Sequence, residues 1–197
     1  MNRRRVAFHE AGHLVMAFLL HMEVLSCRLG PSQEESGERG RCVVVTPDPV
    51  GVRRFLLSMA GVMAEDRFFH DEEGGIRDRH DAADALENYL SHYRRRDRDE
   101  AESVLRLASA FFHSPPALRV LRRAASILVQ VRVLDGDRLD RLRQELLEAC
   151  DSTPLIEAVD GLAEPEPSPP MDEILLRGAR LVKRLLLSLR KPFDDPS

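Results

Sequence analysis

Apolar and polar residues recur along this chain with two different periods, and the changes of period divide it into elements. Residues 2–21 read as a helix capped by Asn2, with apolar side chains crowding every face except the one that carries His9, Glu10 and His13. A helix of that kind belongs at the centre of a fold. EVLSCRL and GRCVVVTP are short β-branched runs separated by the polar, glycine-containing PSQEESGERG, so they predict two strands joined by a long connection.

Asp48-Pro49 is a capping residue followed by a proline suited to the first helical turn, and it opens a second predicted helix running to about Phe69. Ala60, Gly61 and Ala64 in that helix are small residues at a spacing that lets a neighbouring helix come close, with the first helix as the natural partner. The loop HDEEGGIRDR leads to a third helix, HDAADALENYLSHY, with Asp81 in its first turn. RRRDRD at 94–99 reads as a solvated helix end, followed by a fourth helix, DEAESVLRLASAFFH. Ser114-Pro115 repeats the cap-then-proline device to open a fifth, PPALRVLRRAASILVQVRVL, and DRLDRLRQELLEAC after the Gly136 turn gives a sixth. The expected fold class is mainly α with a small β-sheet, an α+β helical domain over residues 1–150.

Beyond Cys150 the pattern changes. Residues 151–170, DSTPLIEAVDGLAEPEPSPP, read as a proline- and acid-rich linker. Residues 171–197 then give a basic amphipathic helix and tail, with six bases against two acids between Met171 and Lys191. Such a helix suits an anionic membrane surface, a partner's groove, its own domain or a second copy of the chain, so peripheral membrane contact through 171–191 and a homo-oligomer both stay open.

Composition narrows the picture. A chain of 197 residues that is 43% hydrophobic suits one compact domain with an appendage, and with 5% aromatics and no Trp its core must come from Leu, Val and Ala. A net charge of -4 and a pI near 6.0 offer no general attraction to nucleic acid. Three cysteines, Cys27, Cys42 and Cys150, are too few for a disulfide framework and point to a reducing compartment; Cys27 and Cys42 could face each other across the hairpin as ordinary half-buried thiols. With no run of 18 apolar residues and no signal-like core at the start, the expected location is cytoplasmic. No GxxxxGK[ST] is present, so any chemistry is expected to be ATP-independent in this chain.

The candidate chemistry lies in HEAGH, His9 to His13. Histidines four apart stack on one helical face, so both imidazoles reach one ion while Glu10 points at the same site. Zinc favours neutral imidazole, and a catalytic zinc keeps three protein ligands and a water whose proton a neighbouring carboxylate can take. Position suits Glu10 to that role. The third ligand is left open by the residues alone: Glu65 could serve in a thermolysin-like arrangement, and His70, Glu73, Asp78, His80 and Asp81 are all chemically able. Met16 and Leu19 stand where a metzincin needs Gly and His, which excludes that pattern.

The order of a HEAGH helix, a strand pair ending in VVVTP, a helix carrying MAGVMAEDRFF, an acidic glycine-containing loop and then HDAADAL resembles the peptidase domain of the FtsH family of zinc proteases over about 150 residues. The resemblance implies zinc on His9, His13 and Asp81, the last opening a helix four residues before Ala85, with Glu10 as general base. It departs where AGVMAED replaces AGRAAEE, which loses an arginine at Val62 and keeps acids at Glu65 and Asp66. The function implied is zinc-dependent hydrolysis of peptide bonds in unfolded proteins or peptides, with the strand 41–46 a candidate edge for an extended substrate. The alternative is a non-catalytic module that keeps the fold and the metal as an interaction or regulatory scaffold.

Overall fold

A computed structural model of the protein describes residues 3–30, 40–45, 52–69 and 98–162. The first helix, α1 (Arg3–Leu19), is buried from Arg5 to Leu19 apart from half-buried His13. Its apolar side chains leave no solvent face, and Leu14, Met16, Phe18 and Leu19 are among the largest fully enclosed side chains. Each such burial stabilises the fold by roughly 1.5–3 kcal/mol. The helix stops in a Schellman motif: Met22 N–H donates to Ala17 O at 2.8 Å and His21 N–H to Phe18 O at 3.0 Å, with His21 in the left-handed region at φ 54°. Glycine usually occupies that position. Here His21 Nε2 hydrogen-bonds buried Ser152 Oγ at 3.1 Å, a tertiary tie that holds the less favourable backbone.

The turn delivers the chain into β1 (Glu23–Leu29), which pairs antiparallel with β2 (Gly40–Val45), with a register irregularity between Val24 and Ser26. Cys27 faces Cys42 across this hairpin, as the sequence allowed. α2 (Val52–Phe68) packs along α1, followed by α3 (Arg98–Phe112) and α4 (Pro115–Val131). Ser114 Oγ accepts from Ala117 N–H, with proline at the start of α4, so the cap-then-proline signal is realised at 114–115.

Two elements differ from the sequence reading. The fifth predicted helix was expected to continue through 134, yet α4 ends at Val131 because Arg132 turns left-handed at φ 66°. Its carbonyl accepts from Leu29 N–H at 2.8 Å, and β3 (Val133–Leu134) joins the far side of β1, giving a three-stranded antiparallel sheet of order β2-β1-β3. After α5 (Gly136–Ala149), the supposed linker opens with a folded segment, α6 (Thr153–Asp160), whose Leu155 and Val159 are buried and which packs against α3. Pro154 occupies its first turn, where a missing N–H is harmless.

The protein is therefore mainly helical with a small antiparallel sheet; the described residues form six helices, with α1 at the centre touching α2, α3, α4, α5, β1 and β2. No helix among the described residues is long and apolar enough to cross a membrane. The Asn2 cap, the Asp48-Pro49 start, the predicted third helix with Asp81, and the 171–197 segment lie outside the described residues.

Candidate metal centre

Close contact between α1 and α2 builds the site. A Cβ placed on Gly12 would stand 2.4 Å from Ala60 O and 2.8 Å from Ala64 Cβ, so the helices approach to a distance only glycine permits. The small residues Ala60, Gly61 and Ala64 thus meet α1 as their spacing predicts. Gly61 serves the site directly: its absent side chain leaves the room that the His9 ring fills, with His9 Cε1 only 2.4 Å from where a Cβ would be.

His9 and His13 present their Nε2 atoms to each other at 3.0 Å, with rings edge to face and centroids 4.7 Å apart. Both Nδ1 atoms are already engaged. His13 Nδ1 lies 2.7 Å from Leu57 O, a carbonyl that can only accept, so the proton sits on His13 Nδ1. His9 Nδ1 lies 2.9 Å from Glu65 Oε1. Burial opposes charge on Glu65, but the hydrogen bonds from His9 and from Arg5 outweigh it and hold the carboxyl below its ordinary pKa. An ionised Glu65 accepts too, which places the His9 proton on Nδ1.

With Nδ1–H donating on both rings, the two Nε2 atoms face each other as acceptors unless one carries a proton, and either that proton or a cation between them satisfies both. The His13 imidazole resists taking a proton: burial first, then the neighbouring His9, push its pKa to about 4, although the Leu57 carbonyl and Glu65 pull the other way. Paired Nε2 donors with both Nδ1–H groups anchored to oxygen is the arrangement that orients histidine towards a metal ion, so these residues fit one.

Glu65 is 2% exposed and takes Arg5 Nε on its other oxygen at 2.6 Å. Its carboxylate thus stands behind His9 and not on the Nε2 side, which corrects the thermolysin-like reading of Glu65 as third ligand: it holds a ligand in place. Arg5 is a site residue that the sequence reading missed. It sits in RRR with Arg3 and Arg4, and nothing local distinguishes the one arginine whose guanidinium is buried. Arg5 also lies over the Phe69 ring at 5.8 Å, and Phe8 packs on Phe68 and Phe69, closing this end of the site with apolar surface.

Glu10 is 6% exposed and lies on the sheet side of α1. Its carboxylate rests against the backbone of Gly40 at the start of β2, where a Cβ would fall 2.6 Å from Glu10 Oε1. Its main-chain carbonyl accepts from the Cys27 thiol at 3.7 Å. Among the described residues no group of three metal-ligating side chains assembles; they bring together His9 and His13, with Glu10 one helical step away. Asp81, His70, Glu73, Asp78 and His80 lie outside the described residues. No known protein-family model matches this chain, and no curated protein matches it.

Proposed function

We propose that this chain is a zinc metallopeptidase of the FtsH type, hydrolysing peptide bonds of unfolded or peptide substrates without ATP, in a cytoplasmic setting. The observation that carries the reading is the 3.0 Å approach of two histidine Nε2 atoms whose Nδ1 atoms are both committed to oxygen acceptors. Asp81 completes the ligand set in this proposal, on the resemblance of its sequence context. Bound zinc would supply polarisation of the scissile carbonyl and acidify water.

The chain's own groups do the rest. Glu10, almost wholly enclosed, takes the proton from the attacking water and returns it to the leaving amine. Glu65 and Arg5 keep His9 fixed in one tautomer and orientation. Among the described residues β2 pairs on one side only, with β1, and its first residue touches Glu10. An extended substrate added along the other side would run past the base, held mainly by main-chain hydrogen bonds and so with broad sequence tolerance.

Zinc content and casein cleavage of the wild type, Glu10→Gln and Asp81→Asn test the proposal. Glu10→Gln should keep the metal and lose cleavage, while Asp81→Asn should bind metal more weakly. A metal-loaded wild type that cleaves nothing would leave the scaffold function in its place, and a wild type that takes up no zinc would remove both.

A further inference from the structure

Cys27 and Cys42 stand directly opposite each other in the β1–β2 ladder, and the proposed hydrolysis needs neither. The phase of the ladder fixes what kind of pair they are. Leu29 N–H donates to Arg132 O on the β3 side, so Cys27, two residues earlier, also turns its main-chain groups towards β3, where it faces Leu134. Towards β2, Cys27 and Cys42 are therefore a non-hydrogen-bonded pair, the narrow kind with Cα atoms about 4.5 Å apart. A disulfide accepts Cα separations of roughly 4.4–6.8 Å, so the bond fits this register without moving either strand. The neighbouring Cys42 thiol, together with burial, pushes the Cys27 thiol up. Cys27 is fully buried and Cys42 half-buried, so an oxidant arrives at Cys42 first.

We propose that Cys27 and Cys42 are a reversible redox site, closed to a disulfide by hydrogen peroxide. The Cys42 thiolate attacks one peroxide oxygen; the O–O bond breaks, and the departing hydroxide leaves as water once protonated. Cys27 then gives up its proton and its sulfur attacks the Cys42 sulfenic acid, breaking the S–O bond and releasing a second water. Two thiols and one peroxide become one disulfide and two waters. The third cysteine, Cys150, stands at the C-cap of α5 and is not a member of this ladder.

Oxidation reaches the general base by two routes. It removes the thiol proton that Cys27 donates to the Glu10 carbonyl, and it ties down the strand on which Gly40, two residues from Cys42, supports the Glu10 carboxylate. This second half rests on the peptidase reading; the disulfide does not.

The test treats the full chain with a slight excess of hydrogen peroxide, then counts thiols under denaturing conditions and maps linked peptides by mass. Two of the three thiols should disappear into one peptide joining Cys27 to Cys42, dithiothreitol should restore them, and Tm should rise by about 6–12 °C from the loop closed. Cys150→Ser should behave as wild type, and Cys42→Ser should leave Cys27 a thiol. Cys42 carried on to sulfinic acid beside an unreacted Cys27, or a link made through Cys150, would overturn the proposal. Cleavage followed in parallel should fall on oxidation and return with dithiothreitol in wild type but not respond in Cys42→Ser. A reduced protein that cleaves nothing would sink the peptidase reading alone, and the thiol count would still decide the redox site.

Discussion

Replacing Glu65 by Gln tests the electrostatic support of the candidate site without changing its shape. Glu65 accepts from Arg5 Nε at 2.6 Å and from His9 Nδ1 at 2.9 Å while almost wholly enclosed. A glutamine has one acceptor oxygen, so its amide N–H groups must confront one of these two donors, and Arg5 loses this carboxylate. Breaking a buried ion pair by removing one partner costs about 3–5 kcal/mol. The amide fills the same volume, which removes any cavity contribution and sets the expectation at about 3 kcal/mol. For a chain of this size that is a fall in Tm of roughly 6–12 °C. Zinc affinity should fall by about 10–100-fold, since His9 is no longer held by a carboxylate. Urea unfolding with the metal chelated gives the first quantity and competition against a zinc indicator the second. Adding Arg5→Met to Glu65→Gln should recover part of the stability, because the buried guanidinium then no longer faces an amide, but none of the zinc affinity. A Glu65→Gln protein within about 0.5 kcal/mol of wild type and with unchanged zinc affinity would refute the assigned role.

Three further outcomes follow from the same geometry. Gly12→Ala puts a methyl group into Ala60 O and Ala64 Cβ, a main-chain conflict that no side-chain rotation relieves; it should cost about 3 kcal/mol or more by thermal unfolding and weaken zinc binding as the helices part. Gly40→Ala meets the flexible Glu10 side chain from Cγ to Oε1, so stability should change by about 1 kcal/mol while cleavage falls at least about tenfold with zinc retained; unchanged cleavage would mean that Glu10 is not held against β2. Acid should destabilise the metal-free protein. His13 titrates near 6.5 when unfolded but at about 4 when folded, so the unfolded state binds the extra proton between those values, and stability is complete above about 6.5 and lost as pH falls towards about 4. That amounts to about 2 kcal/mol between roughly pH 7 and pH 5, measured by urea midpoints, and His13→Gln should flatten that part of the profile. Glu65, lowered in the fold, adds a loss of the same sign at still lower pH as it protonates.

What the sequence disclosed and what it hid have separate physical causes. The HEAGH helix was legible because two histidines and a glutamate interrupt an otherwise apolar surface at helical spacing, and it stands at the centre of the fold as that surface required. The strand pair and the Ser114-Pro115 start were legible from local chemistry. β3 was not, because Val131, Arg132 and Val133 continue the rhythm of α4, and the stop at Arg132 uses a left-handed backbone without the glycine that would announce it. α6 was concealed by the prolines and acids of the sequence that follows it, although Ser152, Thr153 and Pro154 repeat the cap-then-proline device. The partnership of Arg5 with Glu65 spans sixty residues, and no local pattern could pair them. The same distance hid that Glu65 approaches His9 from behind.

The short helix after Cys150 has a practical consequence for anyone trimming the chain. Leu155 and Val159 fill a depression lined by α3, Arg53 on α2 bonds Asp160, and Ser152 steadies the turn that follows α1. A fragment stopped at residue 150 would bare a greasy notch and loosen His21, inviting self-association in the test tube. Any truncation should therefore keep α6 whole, through the Asp160 that Arg53 holds.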